Sequence, residues 1–277
     1  MIRRHVTGVF ALAALVAPNF ALQAQQVVRL TPSNGRVAIW NLLGTAHIEQ
    51  GTSSEVEVQI TPRGADVARM ITRTGLIDGQ QTLRIFYPVD EIRPPSQLRS
   101  RRGGSYTALR LRDDGRFDGN NNDGRRIRIS SNADFEASAD LVIRVPANVS
   151  LDLHVALGDV YASGATRHLS IDTYSGNVRS NATRGPLNID TGSGQVEVKS
   201  HTGELSVDTG SGAVTLIAPS DFGAELEISA GSGSTRSDLP LQTLRRSEGE
   251  LSARIGDGRS RISIETGSGG VSIRGRL

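Results

Sequence analysis

The sequence contains no cysteine. This excludes disulfide bridges, thiolate metal sites, a cysteine nucleophile and a lipid-anchoring cysteine. Aromatic residues make up only 4% of the chain, with a single tryptophan. Lysine occurs once, at Lys199, so arginine carries almost all of the positive charge. Beyond the first two dozen residues no apolar run is long enough to cross a bilayer. The copies described below also lack the 3.6-residue spacing of a helix. What is abundant is glycine, at 31 residues, which together with the few aromatics suits many short strands and turns.

Residues 1–24 read as a secretory signal peptide. Arg3 and Arg4 form a positive start, Val9 to Val16 is apolar, and Ala21-Leu22-Gln23-Ala24 offers a small-residue cleavage site. Export is therefore expected, to the periplasm, the outer surface or beyond. The whole chain has 31 Lys+Arg against 29 Asp+Glu, and removing Arg3 and Arg4 leaves 29 of each. A near-neutral exported chain gives no case for nucleic-acid binding.

The stretch LNIDTGSGQVEVKSHTGELSVDTGSGAVTL says one phrase twice. Such repetition means either a ligand bound many times or a structural unit stacked many times. Registers begin at Leu151, Leu169, Leu187 and Leu205, 18 residues apart. Counting each first residue as zero, position two is Leu153, Ile171, Ile189 and Val207. Position seven is Gly158, Gly176, Gly194 and Gly212. Position nine is always valine, and position eleven is Ala162, Ser180, Val198 and Leu216. Period-two alternation on either side of a glycine corner describes two short strands per copy, with positions zero, two and nine inward. The recurring glycine suggests a backbone angle that a Cβ would strain. Units this short cannot bury their own faces, so the repetition is architectural: a stack of coils.

The register continues. Leu226, Ile228 and Gly233 fit it, as do Leu251, Ala253 and Gly258. A last copy uses Ile262, Ile264, Gly269, Val271 and Ile273, read as a closing hairpin or compressed coil that caps the stack. In the first half, Val37, Ile39, Gly44, Ala46 and Ile48 form a fainter copy. Val56 to Ile60, Leu83 to Tyr87 and Leu141 to Val145 alternate as strands, and a short helix is expected between Gly64 and Thr72. The expected organisation is a signal peptide over 1–24, N-terminal β coils over 25–91, an Arg/Gly/Asn-rich flexible excursion over 92–132 and regular solenoid over 133–277. Residues 25–277 read as one continuous domain. The fold class is all-β: a single-stranded β-solenoid of ~18-residue coils with an irregular N-terminal β region.

The L-x-[IV]-D-T-x-S-G-x-V copies, preceded by LVIRVPANVSLDLHVALGDVYA, resemble the bacterial putative-adhesin family of envelope proteins. The opening GRVAIWNLLGTAHIEQG also looks like that family's first coil. The resemblance implies a β-solenoid domain of unknown function, with no catalytic residues to carry over. The Arg-rich excursion departs from the family pattern.

Several motifs invite a chemical reading. The T-G-S-G corners lead into strands, not a helix N-terminus, so they are structural corners and not phosphate cradles. Asp172, Asp190 and Asp208 share one column. At ~4.8 Å spacing, neighbours repel by about 0.9 kcal/mol in water. Either solvation and corner hydrogen bonds relieve this, or a bound cation (Ca²⁺ foremost) or a glycan does. Thr173, Thr191 and Thr209 form a neighbouring column, read as β-branched ladder packing against an ordered-water alternative. The run from Asp118 to Gly124 is similar to a calcium loop, but its glycine falls one place late and the distal glutamate is missing. His47, His154, His168 and His201 have no metal-ligand spacing. Arg101, Arg102, Arg125 and Arg126 make the excursion basic, as a solvated loop or as a contact for anionic lipid head groups or acidic glycans.

The reading is a non-enzymatic, exported envelope or surface protein, adhesin-like, that presents a rigid polar solenoid face. It needs no cofactor, and Ca²⁺ is the one ion its acids suggest. Its partner is a surface glycan, lipid head groups or a protein, and end-to-end self-association is open. The rival is a polysaccharide-binding or polysaccharide-cleaving β-helix using the acidic column.

Overall fold

The computed structural model describes residues 25–95, 107–117, 123–219 and 222–275. The signal-like segment, Arg101, Arg102 and most of the calcium-like run lie outside the described residues. The chain is an all-β solenoid whose coils each place one strand in either of two facing sheets, of ten and eleven strands among the described residues.

The repeat register is the hydrogen-bond register. In the eleven-stranded sheet β11 (Ser150–Leu157), β13 (His168–Ser175), β15 (Leu187–Ser193) and β17 (Leu205–Thr209) pair in parallel, Leu151 on Leu169 on Leu187 on Leu205. In the ten-stranded sheet β12 (Val160–Ala165), β14 (Val178–Arg184), β16 (Val196–Lys199) and β18 (Val214–Ala218) do the same through their leading valines. The first-half copy is a true coil. Its strands β2 (Arg36–Leu43) and β3 (Ala46–Gln50) stack on β11 and β12, Val37 on Leu151 and Ala46 on Val160. These aliphatic columns meet between the sheets as one continuous core.

The backbone angle the sequence suggests is present at two of the four corner glycines, and contact between coils is common to all of them. Gly158 and Gly176 have φ of 151° and 157°, but Gly194 and Gly212 have no positive φ. What they share is contact between coils. A Cβ on Gly158 would lie 1.9 Å from the Gly44 carbonyl oxygen, on Gly176 2.0 Å from that of Gly158, and on Gly194 1.9 Å from that of Gly176. On Gly212 it would lie 1.6 Å from the Gly194 oxygen. The coils stack so closely at this corner that only glycine fits.

The same column exposes a reordering at the C-terminal end. Gly269 stacks on Gly212, and Gly233 stacks on Gly269. The last copy, β23 (Ser260–Thr266) and β24 (Val271–Gly275), is therefore not a cap. It is inserted between the coil of β17 and β18 and that of β19 (Ala224–Ser229) and β20 (Thr235–Ser237). The cap is the antiparallel pair β21 (Gln242–Ser247) and β22 (Glu250–Ile255), which contains the Leu251 copy and lies on β19.

The other end is closed similarly. Strands β1 (Gln26–Leu30) and β4 (Val56–Arg63) run antiparallel beside β10 (Ser138–Val145), and β5 (Ile71–Ile77) runs antiparallel on β6 (Gln80–Phe86). The helix expected between Gly64 and Thr72 is only a 3₁₀ turn, Val67–Arg69. The described part of the excursion includes strands joined by turns. Strands β7 (Glu91–Ile92), β8 (Thr107–Leu111) and β9 (Arg125–Ile129) form a three-stranded sheet. Leu109, Leu111, Ile127 and Ile129 bury one face of it. Alternation over five residues is enough to make such a strand, but the surrounding Arg, Gly and Asn masks it in composition.

Candidate functional site

The outward residues of the eleven-stranded sheet form a row across the strands: Arg84, Trp40, His154, Asp172, Asp190, Asp208 and Glu265. The acidic column expected from the repeats is thus in register, and the inserted last coil adds a fourth acid. Glu265 escaped the sequence reading, although ISIETGSG aligned on LSVDTGSG puts it at the aspartate position.

The row begins under cover. Trp40 is outward yet only 8% exposed, because the segment entering from β8 lies over it. The Trp40 indole N–H donates to the Phe117 carbonyl at 3.2 Å, and the His154 ring stacks on the indole at 4.7 Å and 2°. Phe117 is itself buried, meeting His154 and Tyr174 edge-on at 6.4 and 6.0 Å. His154 Nδ1 lies 3.0 Å from Asp172 Oδ2, which ties the first acid to the aromatic cluster. The remaining acids continue beyond the covering segment. Burial first, and then the charges of Asp172 and Asp208, hold the Asp190 carboxyl above its ordinary pKa. The second of these causes is the like-charge repulsion that the column spacing predicts. Among the described residues no group of three or more His, Asp or Glu is arranged to hold a metal ion.

The threonine column faces inward: Thr173, Thr191, Thr209 and Thr266 are buried, so it presents nothing to external water. Thr209 and Thr266 hydroxyls accept the corner N–H of Gly212 and Gly269 at 3.1 and 2.9 Å.

The arginines separate by role. Arg125 is a structural clamp that pairs with Asp90 and donates to the carbonyls of Tyr87 and Val89 at 2.9 and 3.1 Å. Arg126 is exposed on β9 opposite Arg110.

His201 is buried in the solenoid. Its Nε2–H donates to the Glu204 carbonyl at 3.1 Å, so Nδ1 accepts the Thr183 hydroxyl at 2.9 Å and Thr183 in turn accepts from Ser180 at 2.7 Å. Burial holds this imidazole below its ordinary pKa. The outer face of the ten-stranded sheet carries a second row that the sequence reading did not single out: His47, Tyr161, Arg179 and Glu197. The 18-residue register alone lines up its last three members.

Residues 129–274 match the family model described as Toastrack DUF4097. Two solved structures are similar. One is a putative cell adhesion protein from Clostridium sporogenes ATCC 15579, 11% identical, TM-score 0.43, covering 91% of this chain and 99% of that one. The other is a putative adhesin from Bacteroides fragilis NCTC 9343, 13% identical, TM-score 0.41, covering 91% and 96%. Likeness at that level carries no argument about function. No curated protein matches the chain.

Proposed function

This chain belongs to the Toastrack DUF4097 family, and from that premise we propose an exported, adhesin-like interaction protein of the cell envelope or surface that acts by display and not by catalysis. The observation that carries the reading is the pair of outward rows, in which polar side chains stand in register on strands fixed by a continuous core. A rigid face that repeats its groups at the strand spacing of ~4.8 Å suits weak, multiple contacts with a repetitive partner. The signal-like segment supports export. The column of Asp172, Asp190, Asp208 and Glu265 offers contact to cations or amines, and Arg126 with its neighbours offers contact to anionic head groups or acidic glycans. Single file also favours display over cleavage. Glycoside hydrolysis needs two carboxyl groups on opposite sides of one bond, whereas these acids stand one above another on one sheet face.

The test is co-sedimentation of the mature chain with cell-wall sacculi, outer-membrane vesicles and intact cells, with and without Ca²⁺ and across salt. Binding to at least one surface is expected. Loss in salt would assign it to the arginines, and loss on chelation to the acidic column. No binding to any of the three sinks the reading.

A further inference from the structure

We propose that the outer face of the ten-stranded sheet holds a groove for an extended, uncharged β-1,4-linked oligosaccharide. The proposal rests on the surface-interaction reading and names its ligand class and its face.

Two ladders of outward side chains wall the groove. The first is His47, Tyr161, Arg179 and Glu197, on β3, β12, β14 and β16. The second stands two residues further along the same strands: Glu49, and in register Ser163, Asn181 and Lys199. Between them Ile48, Ala162 and Ser180 turn their side chains into the core. The trough measures about 640 Å³ and crosses the strands, so it runs along the solenoid axis.

The geometry selects the ligand in three steps. First, this is the face of a sheet and not its edge, so the backbone donors and acceptors are already spent in the ladder. An extended peptide, which adds to an edge by main-chain hydrogen bonds, finds none here. The ligand must carry donors and acceptors around its own periphery, as a sugar ring does. Second, the signs balance. Arg179 and Lys199 stand with Glu49 and Glu197, and Glu49 lies 3.6 Å from Arg144. Such a groove has no net field to draw a charged polymer. It does set ammonium, amide and hydroxyl donors beside carboxylate acceptors, a match for hydroxyls that both donate and accept. Among the described residues neither Lys199 nor Glu197 is in an ion pair, so these groups are available to a ligand. Third, the wall is preorganised. The His47 and Tyr161 rings stack at 4.8 Å and 11°, and the Arg179 guanidinium lies 5.7 Å from the Tyr161 ring centre. Rings stacked in this way are fixed in advance, so a ligand that meets their edges and the Tyr161 hydroxyl has little side-chain entropy to remove. The ~4.8 Å strand spacing is close to one pyranose of an extended β-1,4 chain, giving about one sugar per strand.

The single lysine makes a direct test available. Reductive ¹³C-methylation keeps the charge of Lys199 and places the one side-chain amine probe in the groove, leaving only the terminal amine besides. Cellotetraose and chitotetraose, the probes used, should shift the Lys199 methyl signal saturably, at least tenfold more tightly than glucose or N-acetylglucosamine. Tyr161→Ala should weaken this at least tenfold. Should Tyr161→Ala lower the melting temperature, the exposed Asn181→Ala substitutes for it. Ser206→Ala, exposed on β17 of the opposite sheet, should leave binding unchanged. No saturable shift with either tetrasaccharide overturns the proposal, as does wild-type affinity in the folded groove variant. The two readings separate cleanly. Co-sedimentation with a surface while both tetrasaccharides fail removes the groove and keeps the surface protein. Tetrasaccharide binding without co-sedimentation does the reverse.

Discussion

At the scale of the residue, the corner glycines show how a sequence signal can be right in position and incomplete in cause. A glycine that recurs every 18 residues suggests a special backbone angle. At Gly194 the angle is ordinary, and the obstacle is the Gly176 carbonyl oxygen, 1.9 Å from where a Cβ would sit. The two causes are separable by mutation. Gly194→Ala should destabilise by about 2–4 kcal/mol, because a backbone atom of the next coil must move. Gly79→Ala, at φ 76° with open space around it, should cost only about 1 kcal/mol of conformational strain. Urea unfolding of both variants checks this, and equal losses would return the corner to a purely conformational role. Which groups stood inward was legible from alternation. The inward threonines are the exception, because their chemistry suggests an outward face while period two places them with positions zero and two.

At the scale of the element, each copy was legible as two strands, and the pairing of one 18-residue copy on the next follows from identical register. The order of the last two coils was not. Strands β23 and β24 follow the capping hairpin in sequence but lie between earlier coils in space. Nothing local encodes this: Ile262 has the same column to fill whether it stacks on Leu205 or follows Leu251. The 11-residue step from Leu251 to Ile262 was the one visible sign that the winding changes. Hydrogen exchange tests the arrangement. Amides of Ile262 and Ile264, though near the C-terminus in sequence, should fall in the slowest class, and those of the edge strand β21 should exchange early. Rapid exchange across 260–275 would mean that the last coil caps the stack after all.

At the scale of the whole molecule, two buried or crowded groups tie stability to pH in opposite directions. His201 is held below its ordinary value of 6.5. The unfolded chain therefore binds the extra proton first, and this contribution is full above 6.5 and is lost as pH falls through the lowered folded value. His201→Gln should flatten the fall of the urea midpoint as pH drops below 6.5. Asp190 is raised above its ordinary 3.8, so its contribution is full below 3.8 and is lost as pH rises through the raised value. Asp190→Asn should accordingly stabilise the protein at neutral pH, by about 0.5 kcal/mol at this exposed position. A midpoint that falls in Asp190→Asn would show that the column is relieved by a partner and not strained by its own charge.

The sequence by itself determined the class of fold, the coil length, the in-register columns and the acidic file, because a repeat that cannot bury its own face has only stacking available to it. The tertiary structure alone decided which coil lies beside which, how the ends are closed, and that Trp40, His154 and Phe117 meet. It also set the His47 to Lys199 groove on the opposite sheet. Those outcomes depend on contacts between residues far apart in the chain, where aliphatic columns are interchangeable and only the competing ways of filling the stack distinguish one neighbour from another.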